Sequence, residues 1–232
     1  MTIRIVVIED HALMRQGIVG PLRAAGMEVA AEGDHGSQLM SLLAAHLPHV
    51  VLLDLGMRSG LFEPVSAISR ARAAFPDSRI IALTSYDDPG YVQEILRAGA
   101  QGYLLKDDLA GMDLAAKVNE AVQEGRVFSP RIVEILRAAR APQLLFSTEQ
   151  LAMLRLMSQG CKSSIEMAGL LRLDTAFVRI QVALVYAMLN IRGQFLEHDT
   201  HRAAAVAKAL EWRLIVPPAT DTSQEGEPHD AA

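Results

Sequence analysis

Four short runs that are apolar throughout, apart from Arg4 near the start of the first, constrain the fold of this 232-residue chain most strongly. They cover residues 3–8, 50–53, 80–83 and 103–105. Continuous apolar runs are typical of strands that are covered on both faces, as in a parallel sheet, whereas half-exposed strands alternate. A weaker strand is predicted at residues 27–31, which would bring the number of strands to five.

Segments with the apolar spacing of a helix lie between these runs. Pro64 and Pro89 mark helix starts, Gly99 marks a helix end, and residues 109–122 supply a fifth helix. Alternating strands and helices with right-handed crossovers form a parallel sheet with helices on both faces. The predicted fold class is therefore α/β, a five-stranded doubly wound parallel sheet of the flavodoxin type, followed by a smaller all-α domain.

Charge divides the chain more clearly than its total of −5 suggests. Residues 1–124 carry a net charge of −6, residues 125–146 carry +3, residues 147–216 carry +2, and the tail 217–232 carries −4. We interpret these segments as a first α/β domain, a linker helix, a helical output domain and an acidic tail whose composition indicates disorder.

Composition excludes some classes of protein. No apolar run is long enough to cross a bilayer, and the first residues lack the pattern of a signal peptide. The single cysteine, Cys161, excludes an internal disulfide and a cysteine-cluster metal site. We expect a cytoplasmic protein without a membrane partner.

Five polar residues of suitable types lie at the ends of four strands of the predicted sheet. Functional groups of an open parallel sheet gather at the carboxyl ends of its strands. These ends carry Glu9, Asp10, Asp54, Thr84 and Lys106. Each of these could be an ordinary exposed strand-end residue, but the combination of all five favours a site.

The chemistry of such a site follows from its charges. Grouped carboxylates repel one another unless a cation joins them, and hard oxygen ligands suit Mg²⁺. A metal and Lys106 would neutralise the oxygens of an incoming phosphoryl group. Asp54 is then the candidate nucleophile, because carboxylates can form acyl phosphates.

The motifs IVVIEDHALMRQG, VVLLDLGM, IIALTSYDD and AGAQGYLLKDD together resemble the receiver domain of bacterial two-component response regulators of the NarL/LuxR (FixJ) type. The resemblance covers residues 1–124. It implies phosphorylation by a partner histidine kinase and a protein that is not an enzyme with a substrate of its own. The implied site consists of the Mg²⁺ ligands Glu9, Asp10, Asp54 and the Gly56 carbonyl, the phosphoacceptor Asp54, the switch residues Thr84 and Tyr103, and the phosphoryl-binding Lys106.

The chain departs from the family near this site. Arg58 stands where the family usually has proline, and Pro64 stands where it prefers glycine. The positions that tune hydrolysis in receivers carry Gly56 and Tyr86, neither of which readily orients a water molecule, so we expect slow self-dephosphorylation. Tyr103 is expected to fill the space that Thr84 vacates on phosphorylation, although plain core packing would also explain it.

The second half predicts several helices. Residues 129–140 start with a serine and a proline and form the predicted linker helix. Helices at 146–159, 164–171 and 175–189 then make a helix-turn-helix. The motifs FSTEQLAMLRLMSQG and IEMAGLLRLDTAFVRIQVALVYAMLNI resemble the LuxR-type output domain. That resemblance implies DNA contacts from Arg179 and Gln181.

This output domain also departs from its family. Phe177, Leu184 and Met188 replace residues that are usually polar or basic, and the turn CKSSI is one residue longer. A recognition helix with only one basic residue should bind DNA weakly, because neutralisation of the DNA phosphates supplies most nonspecific affinity. The apolar helix fits a buried or partner-facing position equally well.

The leading hypothesis is a homodimeric transcription regulator whose DNA binding is controlled by phosphorylation of Asp54. The alternatives are a regulator whose output domain binds another protein and not DNA, and a receiver that signals without phosphorylation. The small residues of the last helix, 201–212, are compatible with dimerisation or with capping of the output domain.

Overall fold

The structure, a computed structural model, describes residues 2–57, 62–161, 163–191 and 198–215. It contains two compact units, Met1–Ser147 and Thr148–Ala232. Arg58 and the acidic tail lie outside the described residues.

The first unit is built on a parallel sheet of strands β1 to β6. Their order across the sheet is β2-β1-β3-β4-β5-β6. The strands are β1 (Arg4–Ile8), β2 (Glu28–Gly33), β3 (Val50–Leu53), β4 (Arg79–Thr84), β5 (Gly102–Leu105) and β6 (Val127–Phe128). The helices are α1 (Ala12–Ala24), α2 (Leu39–His46), α3 (Pro64–Ala74), α4 (Pro89–Arg97), α5 (Leu114–Glu124) and α6 (Pro130–Ala138). Short 3₁₀ turns cover Gly36–Gln38, Lys106–Gly111 and Pro142–Leu145.

The doubly wound α/β class is confirmed, but the prediction of five strands was one strand short. β6 lies directly after α5 and pairs with β5, with Gly102 opposite Val127 and Tyr103 opposite Phe128. Two residues are too few to produce a recognisable apolar run, so the sequence pattern gave no signal for this strand.

Local residues explain where the helices begin. Asp88 Oδ1 accepts a hydrogen bond from Tyr91 N at 2.8 Å at the start of α4, and Pro89 occupies the first turn. Asp113 Oδ1 accepts from Ala116 N at 2.9 Å in the same way. The fifth helix therefore begins at Leu114 rather than at residue 109, and a 3₁₀ turn precedes it.

The core of the first unit lies against both faces of the sheet. All residues of β3 are buried, as are those of β5 and nearly all of β1 and β4. One face packs against α1 and α5 through Ile18, Leu22 and Val118. A sheet covered on both faces leaves its functional groups at the strand ends, where the backbone leaves the core.

The second unit is helical. It contains α7 (Thr148–Ser158), α8 (Ser164–Leu171), α9 (Thr175–Met188) and α10 (His198–Glu211). Asp174 begins α9 by accepting hydrogen bonds from Ala176 N and Phe177 N at 2.9 and 3.0 Å. Arg172 ends α8 with a left-handed backbone (φ 55°), which makes the tight turn between α8 and α9.

Candidate functional site

The carboxyl edge of the sheet brings the predicted polar residues together. Asp54 directly follows β3, Thr84 ends β4 and Lys106 directly follows β5. Carboxylate oxygens of Glu9, Asp10 and Asp54 lie within 4.8 Å of one another. Asp10 is half-buried, while the other two acids are buried. This cluster could hold a metal ion, because its donors are hard oxygen atoms at one point.

Lys106 lies between two of these carboxylates. Its Nζ is 2.7 Å from Glu9 Oε2 and 2.9 Å from Asp54 Oδ2. Burial opposes the charge of the ammonium, but the two carboxylates at hydrogen-bond distance outweigh it and raise the pKa of Lys106. Lys106 therefore remains a cation at neutral pH.

The same surroundings also raise the pKa of Glu9, but for a carboxylic acid this disfavours the charged form. Burial raises the pKa of Glu9, and the nearby charge of Asp54 adds to this effect, while Lys106 and the His11 amide partly offset it. His11 N donates to Glu9 Oε1 at 3.2 Å, and Arg15 Nη1 donates to the Glu9 backbone carbonyl at 2.6 Å. Sequence reasoning missed both residues, although Arg15 lies on the first turn of the helix that follows the acid pair.

The second carboxylate oxygen of Asp54 is held by the loop that follows it. Asp54 Oδ1 accepts a hydrogen bond from Gly56 N at 2.9 Å. A Cβ atom at Gly56 would lie 3.3 Å from Tyr86 Cε2 and 3.5 Å from Asp54 Oδ1, so the Tyr86 ring lies beside this loop. That ring packs edge-on against Tyr91, with ring centroids 5.9 Å apart. Sequence reasoning did not identify Tyr91.

Thr84 and Tyr103 both bond to Tyr86. Thr84 Oγ1 accepts from Tyr86 N at 3.3 Å, and the Tyr103 hydroxyl donates to the Tyr86 carbonyl at 2.7 Å. The Tyr103 side chain is fully buried, and burial raises the pKa of its phenol well above the usual value. Tyr103 thus ties β5 to the loop between β4 and α4.

The two residues predicted to contact DNA lie in different environments in the helical unit. Arg179 is exposed on α9, whereas Gln181 is only 1% exposed and accepts a hydrogen bond from Gln150 Nε2 at 2.9 Å. Gln181 shares the inward face of α9 with Val178, Val182 and Val185. The prediction that Gln181 contacts DNA is therefore corrected, because its side chain is part of the core that joins α9 to α7.

The exposed surface of α8 and α9 is largely apolar. Ile165 and Leu170 on α8 are exposed, as are Phe177 and Ile180 on α9. Leu184 and Met188, which also depart from the family pattern, are half-buried. Large exposed apolar residues in one motif are more typical of a contact surface than of a solvated face.

Among the described helices, none has both the length and the apolar character required to span a bilayer.

Comparisons with known proteins agree with this arrangement. The family described as response regulator receiver domain matches residues 5–119. The probable transcriptional regulatory protein NarL of Mycobacterium tuberculosis is 30% identical over 221 residues, which cover 92% of this chain and 96% of that protein. The nitrate/nitrite response regulator protein NarP of Escherichia coli is 30% identical over 200 residues, which cover 82% and 90%.

A solved structure shows the same fold over most of the chain. The RcsB response regulator of Salmonella typhimurium superimposes with a TM-score of 0.53 at 22% identity, covering 89% of this chain and 97% of that one. The full-length match to the NarL and NarP proteins settles the family. The chain belongs to the two-component response regulators of the NarL type.

Proposed function

We propose that this response regulator accepts a phosphoryl group on Asp54 from a partner histidine kinase and thereby controls DNA binding by its helical unit. One observation carries the proposal: the buried Asp54 carboxylate lies 2.9 Å from Lys106 Nζ at the carboxyl edge of a parallel sheet, beside Glu9 and Asp10. The receiver is a substrate of the kinase, with no separate substrate of its own, and it acts with the kinase in the cytoplasm.

The contacts of Asp54 suit a nucleophile. The Gly56 amide holds Oδ1 and Lys106 holds Oδ2, so the carboxylate is oriented before a phosphoryl donor arrives. Attack by one oxygen on phosphorus forms an acyl phosphate and releases the kinase histidine. Lys106 then remains close enough to bind an oxygen of the transferred group.

A divalent metal ion, Mg²⁺ by its ligand chemistry, fits the neighbouring acids. Glu9, Asp10 and Asp54 would hold it, together with the Gly56 backbone carbonyl. The bound cation would supply charge neutralisation for the phosphoryl oxygens. The raised pKa of Glu9 favours the same assignment, because a buried acid that resists ionisation gains most from a cation.

Transmission would begin at Thr84. Its hydroxyl oxygen accepts a hydrogen bond from the Tyr86 amide in this structure, and its own O–H would donate to a phosphoryl oxygen on Asp54, which would draw the side chain toward the site. The Tyr103 side chain would move with this loop, since its hydroxyl donates to the Tyr86 carbonyl. We assign these two residues as the switch on this basis.

We further propose a receiver of residues 1–124, a linker of residues 125–146 and an output domain of residues 147–216. NarL is a transcriptional regulatory protein by name, which supports DNA as the output ligand. A homodimer as the active form is part of the same proposal. Within the output domain, Arg179 is the exposed basic residue on α9, the helix that would enter the major groove.

A specific observation favours a second candidate, an output domain that binds a protein. Ile180, which directly follows Arg179 on α9, is 54% exposed, and Phe177, Ile165 and Leu170 are further exposed apolar residues of α8 and α9. Such a surface would bury apolar area against a partner protein more favourably than against phosphates.

DNA binding by the full chain separates the two candidates. The protein is titrated against its own promoter fragment with and without Mg²⁺ and acetyl phosphate, at several salt concentrations. The proposal predicts binding that is enhanced by the donor, that falls steeply with salt, and that is lost in Asp54→Asn. Arg179→Ala should weaken binding, whereas Arg155→Ala, which removes an exposed arginine of α7, should not. Phosphorylation without DNA binding in either state would support the protein-binding candidate.

A further inference from the structure

Residues 125–146, which we call the linker segment, are packed within the first unit and do not form a free tether. The linker segment enters the sheet as β6, where Val127 N donates to Gln101 O at 3.1 Å and Ser129 N donates to Tyr103 O at 3.0 Å. A Cβ atom at Gly102 would lie 2.5 Å from Val127 Cγ1. The strand can approach this closely only because β5 begins with a glycine.

Ser129 joins the linker segment to the residue before Lys106. Ser129 precedes α6, where a serine hydroxyl normally caps the helix, but its side chain makes no capping hydrogen bond. The fully buried hydroxyl accepts a hydrogen bond from Leu105 N at 3.0 Å instead. The start of α6 therefore holds the end of the strand that positions the phosphoryl-binding lysine.

Arg131 joins the same helix turn to the second loop of the site. Its guanidinium forms an ion pair with Asp87. Asp87 follows Tyr86, whose amide bonds Thr84 and whose carbonyl accepts the Tyr103 hydroxyl. Asp88 then begins α4. The start of α6 thus contacts two of the backbone segments that form the site, those that carry Lys106 and Thr84.

Apolar packing completes the attachment. Ile132 and Leu136 on α6 are fully buried, and α6 packs against α4 and the 3₁₀ turn Pro142–Leu145. Arg126 Nη1 donates to the Leu144 carbonyl at 2.9 Å and closes the segment on itself. The first unit ends at Ser147, directly after the linker segment, and the helical unit begins in sequence at Thr148.

We propose that the first turn of α6 is a component of the phosphorylation switch, with Ser129 and Arg131 as its positioning residues. This inference rests on the proposed function of Asp54. When a phosphoryl group accepts a hydrogen bond from the Thr84 hydroxyl and draws it toward Asp54, the Tyr86 amide that donates to this hydroxyl follows, so the loop of residues 84–88 moves toward the site and carries Asp87 away from Arg131. The docking of α6 then weakens, and the signal leaves the receiver through the linker segment.

Linkage makes this coupling reciprocal: if phosphorylation weakens the docking of α6, then weakening the docking must favour the phosphorylated state. Arg131 is a suitable probe, because its side chain is 66% exposed and an exposed ion pair contributes little to stability. Arg131→Ala should therefore fold normally and still change the switch. Arg97→Ala is the matched control, since it removes an exposed arginine of α4 that bonds only to Gln93 one turn earlier among the contacts described.

The test measures equilibrium binding of beryllofluoride, a stable substitute for the phosphoryl group, to the full chain with Mg²⁺ by calorimetry. Hydrogen exchange of the α6 amides is followed in the same samples. The wild type should lose protection at residues 131–138 on binding. Arg131→Ala should lack part of this protection from the start, and its Kd should fall by about two- to fivefold. The charge swap Asp87→Arg with Arg131→Asp should restore both values toward the wild type.

The outcomes separate this inference from the proposed function. Normal beryllofluoride binding with unchanged α6 protection, or an Arg131→Ala Kd equal to those of the wild type and Arg97→Ala, would overturn the inference alone. A wild type that binds no beryllofluoride and takes up no phosphate at Asp54 would overturn the proposed function and this inference with it.

Discussion

Lys106 Nζ lies 2.9 Å from Asp54 Oδ2 and 2.7 Å from Glu9 Oε2, so one ammonium is shared by two buried carboxylates. The shared ammonium explains how the carboxylates of Glu9 and Asp54 can both be buried in a folded protein. It also gives Asp54 a cationic partner that can stay with a transferred phosphoryl group. The predictions below follow from this geometry and from the contacts around it.

Removing the shared cation should destabilise the first unit. Lys106→Ala leaves Glu9 and Asp54 without compensation, and we expect a loss of about 3 kcal/mol in the free energy of unfolding at neutral pH. Urea denaturation measures this loss, with Lys117→Ala as the control because Lys117 forms a partly exposed pair with Glu120 on one helix. Added Mg²⁺ should restore much of the stability.

The same variant should depend on pH in a defined direction. A raised pKa means that the folded state binds the proton more tightly, so stability is present below the ordinary glutamate value and is lost as pH rises through the raised value of Glu9. Without Lys106 this loss should grow, and Lys106→Ala should be more stable in mild acid than at neutral pH. Equal stability of the variant at both pH values would contradict the proposed electrostatics.

Tyr86 should protect the acyl phosphate from water. Its ring lies beside Gly56, the residue whose amide donates to Asp54 Oδ1, and Gly56 has no side chain that could orient an attacking water. Tyr86→Ala should accelerate loss of the phosphoryl group by about tenfold, equivalent to about 1.4 kcal/mol of barrier. Tyr86→Phe keeps the ring and should behave as the wild type. A wild-type phosphoryl lifetime of only seconds would show that the ring gives no such protection.

Tyr103 should contribute to stability in a way that depends on alkaline pH. Burial raises its pKa from the ordinary value of 10.0, so its contribution is complete below that value and is lost as pH rises toward the folded value. Tyr103→Phe should lose about 1 kcal/mol at neutral pH, because the bond to the Tyr86 carbonyl is removed. The difference between variant and wild type should shrink as pH rises above about 10. A constant difference would mean that the phenol is not held in the buried bond.

Gln181 and Arg179 should respond to substitution in opposite ways. Gln181→Ala removes the buried acceptor of Gln150 and should destabilise the helical unit by roughly 1–3 kcal/mol. Arg179→Ala should leave stability unchanged and reduce the salt slope of DNA binding by about one. Thermal unfolding and salt-dependent binding measure the two effects. If Gln181→Ala instead weakened DNA binding and left stability unchanged, Gln181 would belong to the DNA interface.

The sequence predicted the fold and the acidic cluster because both depend on local patterns. Continuous apolar runs located β1, β3, β4 and β5, and a parallel sheet places the residues after such runs at one edge. The meeting of Glu9, Asp10 and Asp54 therefore followed from where each strand stopped. The helix-turn-helix pattern was equally local, and α8 has the predicted bounds.

Other features depend on contacts between distant residues. Gln181 was assigned to DNA by its place in a family motif, although the spacing of Val178, Val182 and Val185 already indicated that its face points inward. Ser129 carries the signal of a helix cap, but its hydroxyl bonds Leu105, which lies 24 residues earlier. A tertiary hydrogen bond of this kind leaves no periodic pattern in the sequence.

The site of phosphorylation is the central claim, and the mass of the intact protein tests it most directly. The full chain is incubated with acetyl phosphate and Mg²⁺, alongside Asp54→Asn and the control Asp77→Asn, which changes an exposed acid just before β4 at the opposite edge of the sheet. We predict that the wild type and Asp77→Asn each gain one phosphoryl group and that Asp54→Asn gains none. Equal phosphorylation of Asp54→Asn, or none in the wild type, would contradict the account.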